Sequence, residues 1–107
     1  MPADLLQGTL NLLILHVLAQ AKANGYEIAK RIEQRSDEAL AVDHGSLYPA
    51  LRRLEANGWI EAKLETSPTN RQARYYALTK AGRQQIKVER ARWQASAAAV
   101  TKVMGLA

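Results

Sequence analysis

The sequence predicts an α+β fold that is mainly α-helical, with one small β-hairpin and a long C-terminal helix. Apolar residues recur at helical spacing in three segments before residue 58, and the period changes to two from Trp59. Helical spacing returns over residues 80–104. The chain has 107 residues, of which 48% are hydrophobic, so we expect one domain around a single core.

The first helix is predicted over residues 5–21. It is apolar on nearly every side, and a chain of this size has few elements that can bury such a helix. We therefore expect a second subunit to cover part of it.

The same segment resembles the apolar region of a signal peptide. However, Asp4 precedes it, where Lys or Arg would be expected. The apolar run of residues 10–19 contains His16 and is shorter than the roughly 20 residues that span a membrane. We therefore expect a buried helix in a cytoplasmic protein that has no membrane partner.

The second helix is predicted over residues 26–35, after a break in which Gly25 suits a turn. A linker over residues 36–43 follows, with a short extended piece over residues 40–42. The inward face of the helix is expected to comprise Tyr26, Ile28, Ala29 and Ile32.

The third helix has two candidate start points and ends near Gly58, a favourable stop. If Ser46 is the N-cap, Pro49 falls in the first turn, where backbone amides have no helical partner. If Asp43 is the N-cap, Pro49 lies inside the helix and forces a kink. The start at Ser46 is the favoured prediction.

Two strands are predicted after this helix. Ile60, Ala62 and Leu64 alternate with charged residues, and residues 74–79 form the second strand. The loop over residues 66–73 joins them into a hairpin. Three cations are expected around the tip of this hairpin: Lys63, Arg71 and Arg74.

The last helix is predicted over residues 80–104, with Thr79 as its N-cap. Ile86, Trp93 and Val100 are spaced seven residues apart. They form an apolar stripe longer than the helix needs for its own core, which favours packing against a second subunit.

The charge of the chain is distributed unevenly. Its net charge is +5, but residues 1–51 contribute −2 and residues 52–107 contribute +7. A basic half suggests a polyanionic partner, although an ordinary solvated basic surface is an equal alternative on charge alone. The chain has no cysteine, which excludes disulfides and thiolate metal sites.

The outer face of the third helix favours a polyanionic partner over an ordinary solvated basic surface. A step of about 100° per residue places Leu47, Ala50, Leu51 and Leu54 on one stripe. The opposite side is small near its start and cationic further along, with an aromatic on one flank. It comprises Gly45, Pro49, Arg52, Arg53 and Ala56, with Tyr48 and Glu55 on one flank and Ser46 on the other. Such a face fits a groove of duplex DNA, because small residues allow close approach and arginine binds phosphate or a guanine edge.

The order helix, helix, helix, strand, basic loop, strand is that of a winged helix-turn-helix. Two segments, GSLYPALRRLEANGWI and NRQARYYALTKAGR, resemble the PadR family of bacterial transcriptional regulators. The resemblance extends over nearly the whole chain, and the single C-terminal helix resembles the smaller subfamily. The resemblance implies a homodimer, formed by the first and last helices, that binds a palindromic operator and represses transcription.

These observations define the predicted sites. Residues 1–79 are expected to be the DNA-binding part and residues 80–107 the dimerisation helix of one compact unit. The predicted contacts with double-stranded DNA are Ser46, Tyr48, Pro49, Arg52, Arg53, Lys63, Arg71 and Arg74. The predicted dimer contacts are Leu6, Leu10, Leu13, Ile86, Trp93 and Val100. The resemblance also marks Trp93 as a candidate lining of a pocket for a small-molecule effector of unknown identity.

Other function classes are less well supported. His16 and His44 have no ligand spacing around them, so no metal or cofactor is expected. Asp43, His44 and Ser46 are too close in sequence for a catalytic relay, so no enzyme is expected. The remaining alternative is a winged-helix interaction module whose basic wing binds an acidic protein.

Overall fold

The computed structural model describes residues 7–106 and confirms the α+β class. Its four helices are α1 (Gln7–Leu18), α2 (Gly25–Arg35), α3 (His44–Ala56) and α4 (Lys80–Val103). Its strands are β1 (Ala23–Asn24), β2 (Ile60–Thr66) and β3 (Gln72–Leu78). The strands form one antiparallel sheet in the order β1-β3-β2. The predicted dimer contact Leu6 lies outside the described residues.

The core is formed where the inner face of α3 meets α1 and α2. Leu47 and Leu54 of α3 are fully buried, as are Ile14 and Leu15 of α1. The predicted stripe of α3 is therefore confirmed. Because four of its positions lie inside the protein, helical geometry fixes which side chains of α3 point outward.

The segment before α2 differs from the prediction. A short strand, β1, pairs with β3 and extends the predicted hairpin to three strands. Helix α2 begins at Gly25, because Asn24 and Glu27 form a capping box: the Asn24 side chain accepts from the Glu27 amide at 2.8 Å. Tyr26 is 61% exposed, so its predicted inward orientation is wrong, whereas Ile28 is buried as expected.

The predicted start of α3 at Ser46 is also wrong. The N-cap is Asp43, whose carbonyl accepts hydrogen bonds from the amides of Ser46 and Leu47. Pro49 therefore lies inside the helix, where it cannot donate to the carbonyl of Gly45. The loss is confined to one hydrogen bond in the second turn, and the helix continues to Ala56.

The hairpin is longer than predicted and its apolar alternation is incomplete. Its register pairs Ile60 with Leu78 and Thr66 with Gln72. Ile60 is buried, but Leu64 is 68% exposed because the outer half of the hairpin projects beyond the core. Of the two tyrosines in β3, Tyr76 is buried, as expected for one of the pair.

Helix α4 is capped by Thr79 as predicted, through a hydrogen bond from the Gly82 amide at 3.0 Å. Its buried residues are Gly82, Ile86 and Glu89, all in its first half. Ile86 packs into the core of its own protomer, as does Leu10 of α1, and the place of both in a dimer contact stays a prediction. Within residues 7–106, no helix is both long and apolar enough to cross a membrane.

The junction between α3, β2 and α4 depends on a close backbone approach at Gly82. The carbonyl of Trp59 accepts from the Thr79 amide at 3.1 Å. A Cβ atom at position 82 would overlap the same carbonyl, which is backbone and cannot turn away. Glycine is therefore required here by space.

We predict that Gly82→Ala destabilises the fold by about 2–3 kcal/mol, because it overpacks a rigid junction. Urea unfolding followed by circular dichroism would measure the change. The matched control is Gly8→Ala in α1, where an added Cβ meets nothing within 4 Å, and it should leave the unfolding midpoint unchanged or slightly raised. Equal midpoints for wild type and Gly82→Ala would contradict the prediction.

Candidate nucleic-acid interface

The exposed side of α3 brings together three of the predicted contact residues. Ser46, Tyr48 and Arg52 are exposed, and Tyr48 retains 41% of its surface. Tyr48 and Arg52 lie on the side that borders the sheet and the start of α2. Ser46 lies on the other flank, where its Oγ donates to Oδ2 of Asp43 at 3.4 Å. The surface therefore offers two hydroxyl groups and a guanidinium group along one helix.

A groove of about 540 Å³ lies beside this surface, between the start of α2, the outer side of α3 and strand β3. Tyr48 crosses the groove towards α2, and the ring of His44 meets the Tyr48 ring edge-on, with 6.0 Å between their centres. The residues that line the groove are Asn24, Gly25, Tyr26, Tyr48, Arg52, Glu55, Ala73, Arg74 and Tyr76. Three elements of secondary structure thus meet at one concave surface.

The two adjacent arginines of α3 have different surroundings. Arg52 is exposed and lines the groove. Arg53 is half-buried, and its Nε lies against the protein without a hydrogen-bond partner among the described residues. Pro49 is half-buried as well. The structure therefore makes Arg52 the more accessible of the two cations.

Arg74 is paired within the protein. Its Nη2 donates to Oε2 of Glu55 at 2.8 Å, which joins β3 to α3. This hydrogen bond and the charge of the Glu55 carboxylate raise the pKa of Arg74. Burial raises the pKa of the neighbouring Tyr76, so its hydroxyl remains protonated at neutral pH. The positive charge of Arg74 is thus partly neutralised before any ligand binds.

The predicted cluster of three cations at the hairpin tip is not present. Only Arg71 lies in the tip loop, where its backbone exchanges hydrogen bonds with Ser67. Lys63 lies further down β2, opposite Tyr75. Strand alternation places it on the same face as two carboxylates, those of Glu61 and Glu65. Arg71 is therefore the wing cation with the fewest acidic neighbours.

Comparison with known protein families shows to which family the chain belongs. The sequence profile of the transcriptional regulator PadR-like family matches residues 14–88 of this chain. The chain belongs to the PadR-like family. As a PadR-like regulator it is a winged-helix DNA-binding protein, in which α3 is the third helix and the β2–β3 hairpin is the wing.

Individual proteins agree with this assignment. The chain is 26% identical over 73 residues to the negative transcriptional regulator PadR of Bacillus subtilis, and the match covers 68% of this chain and 40% of that protein. Its structure resembles a transcriptional regulator from Clostridium thermocellum with a TM-score of 0.80 at 30% identity, over 90% and 93% of the two chains. A PadR-like transcriptional regulator from Bacillus cereus gives a TM-score of 0.72 at 26% identity, over 92% and 93%. The chain spans less than half the length of the Bacillus subtilis protein.

A second concave surface of this PadR-like chain lies between α1 and α4. It has a volume of about 280 Å³ and is lined by Gly8, Thr9, Glu89, Arg92, Trp93 and Ser96. Trp93 is 49% exposed in the protomer. The Glu89 carboxylate is buried and accepts a hydrogen bond from Gln85 at 2.9 Å. The predicted effector residue Trp93 thus lines an open cleft in the protomer.

Two features of the interface leave no pattern in the local sequence. The pair of Arg74 and Glu55 joins residues 19 positions apart, and no local pattern marks it. The contact of Tyr48 with Gly25 joins two helices, and it is likewise visible only in three dimensions. The capping box at Asn24 did have a signal, since an Asn followed three residues later by Glu is typical of a helix start.

Proposed function

We propose that this PadR-like regulator binds an inverted-repeat operator as a homodimer and represses transcription. The observation that supports it best is the exposed side of α3, where Tyr48 and Arg52 line one groove with Ala73 and Arg74 of the wing. Ser46 at the start of α3 and Arg71 in the wing loop are exposed as well. The proposal of repression is supported by the similarity to a protein named as a negative regulator. Binding to the chromosome would place the protein in the cytoplasm.

In the proposed complex, α3 enters the major groove. Arg52 binds a guanine edge through two hydrogen bonds, because guanidinium geometry matches the O6 and N7 acceptors. The hydroxyl groups of Tyr48 and Ser46 donate to phosphate oxygens, which fixes the register of the helix on the duplex. Arg71 binds the neighbouring phosphate backbone from the wing. Arg53, Arg74 and Lys63 have smaller roles in this scheme, since each is half-buried or has acidic neighbours.

The dimer is proposed to form through α4 together with α1. Helix α4 has 24 residues and is about 36 Å long, and its buried side chains all lie in its first half. Its second half exposes Trp93, Val100 and Val103 in the protomer, and Met104 at its C-cap is exposed as well. A second copy of the chain would cover this apolar surface and Leu13 of α1. A small-molecule effector would bind in the cleft beside Trp93.

The DNA proposal is tested by selecting bound fragments from random duplexes. We expect an inverted repeat whose half-site centres lie about 34 Å, one helical turn, or a multiple of it apart.

Arg52→Ala should then weaken operator binding by about 1–3 kcal/mol and random-duplex binding much less. Arg71→Ala is the matched control, because a phosphate contact should be lost equally on both DNAs, with a salt slope lower by about one. Arg53→Ala should have a smaller effect than Arg52→Ala. If Arg52→Ala lost equal affinity on both DNAs, base readout by Arg52 would be excluded.

The dimer proposal is tested by sedimentation at micromolar concentration. Trp93→Glu should give monomers, because it places a charge in a packed apolar seam. The matched control is Ala95→Glu, an exposed position on the same helix about 200° away, which should remain dimeric. Because Trp93 is half-exposed in the protomer, the helical circular dichroism of both variants should persist. A wild-type protein that sedimented as a monomer would refute the proposal.

A further inference from the structure

The backbone conformation at position 25 does not require a glycine. It is the first residue of α2 and is buried. The described glycines with positive φ are Gly58 and Gly105, so left-handed geometry does not explain a glycine at position 25. The side chain of Tyr48, from helix α3, explains it. A Cβ atom at position 25 would lie 3.0 Å from both Cε1 and the hydroxyl oxygen of Tyr48, and 3.2 Å from Cζ.

We propose that Gly25 is a positioning residue for DNA recognition. The missing side chain leaves room for the hydroxyl end of Tyr48 to lie across the start of α2. This contact directs Tyr48 into the groove that it shares with Arg52. The inference rests on the proposed function, since it assigns to Gly25 the placement of a side chain that would contact DNA.

The placement of Tyr48 is bounded on two sides. Its hydroxyl end lies on Gly25, and the ring of His44 lies edge-on to it at 6.0 Å between centres. A methyl group at position 25 would push the hydroxyl by a few tenths of an ångström, and Tyr48 can move because it is 41% exposed. Hydrogen bonds between a hydroxyl group and a phosphate are short and directional, so such a displacement weakens the contact.

The same substitution should not weaken the fold. Alanine is a better helix former than glycine, and it restricts the unfolded chain. The φ angle at position 25 is not in the left-handed region, and the cap residue Asn24 is unchanged. Gly25→Ala therefore separates two roles: a residue needed only for folding would lose stability, whereas a positioning residue loses DNA affinity at unchanged or higher stability.

The experiment is a double-mutant cycle on DNA binding. Gly25→Ala, Tyr48→Phe and the double variant are titrated with fluorescent duplex DNA, both random and selected, and thermal unfolding is recorded for each. We expect Tyr48→Phe to bind about tenfold more weakly per half-site, as for one lost hydrogen bond to a charged group. Gly25→Ala should bind more weakly than wild type by a smaller factor, because it displaces the hydroxyl and does not remove it. The double variant should bind no more weakly than Tyr48→Phe alone, because the hydroxyl through which Gly25 acts is already absent. Gln34→Ala, at an exposed position near the end of α2, is the control and should bind as wild type does.

Three results would overturn the inference while leaving the proposed function intact: wild-type affinity for Gly25→Ala, losses that add in the double variant, or a lower unfolding temperature for Gly25→Ala. If wild-type protein bound no duplex DNA, selected or random, the proposed function would be wrong and the role of Gly25 would be wrong with it.

Discussion

Burial of one face of α3 is the constraint on which the rest of this structure depends. Leu47, Ala50, Leu51 and Leu54 are 0–1% exposed, so the helix cannot rotate about its axis without moving apolar side chains into water. A rotation by one residue, about 100°, would carry Arg52 towards the core. The hydrophobic core therefore determines which polar side chains face outward, although none of those polar side chains contributes to it.

Two contacts between elements then shape the surface around α3. The ion pair of Arg74 and Glu55 joins the sheet to α3, and the contact of Gly25 with Tyr48 joins α2 to it. A third pair, Lys22 with Glu65 at 2.7 Å, joins the segment before β1 to the wing. Exposed pairs of this kind add little stability. Their effect here is on charge, because they partly neutralise Lys22 and Arg74, whereas Arg52 and Arg71 form no ion pair among the described residues.

The fold was largely predictable from sequence, because helix faces and strand alternation are local patterns. The inner stripe of α3, the Thr79 cap and the position of the hairpin all follow from residues close in sequence. Errors arose where a tertiary contact outweighed a local rule. The N-cap of α3 is Asp43 and not Ser46, so that Pro49 lies inside the helix although it lacks the amide that would bond to the Gly45 carbonyl. Similarly, Ile86 and Trp93 belong to the same apolar stripe of α4, but Ile86 is buried in the protomer and Trp93 is exposed. This difference depends on contacts with the other helices, which the stripe alone does not reveal. The residue types of the candidate site on α3 were predictable from the sequence, whereas the ion pair between Arg74 and Glu55 was not.

We propose that the outer side of α3 is the surface that contacts DNA. Its most direct test is an NMR titration of isotope-labelled protein with a random-sequence duplex at low salt, followed through backbone amide shifts. We expect the largest changes in residues 44–53 and in the tip loop at residues 67–71, while amides in the second half of α4 change little. Changes concentrated in the second half of α4, with residues 44–53 unaffected, would contradict it.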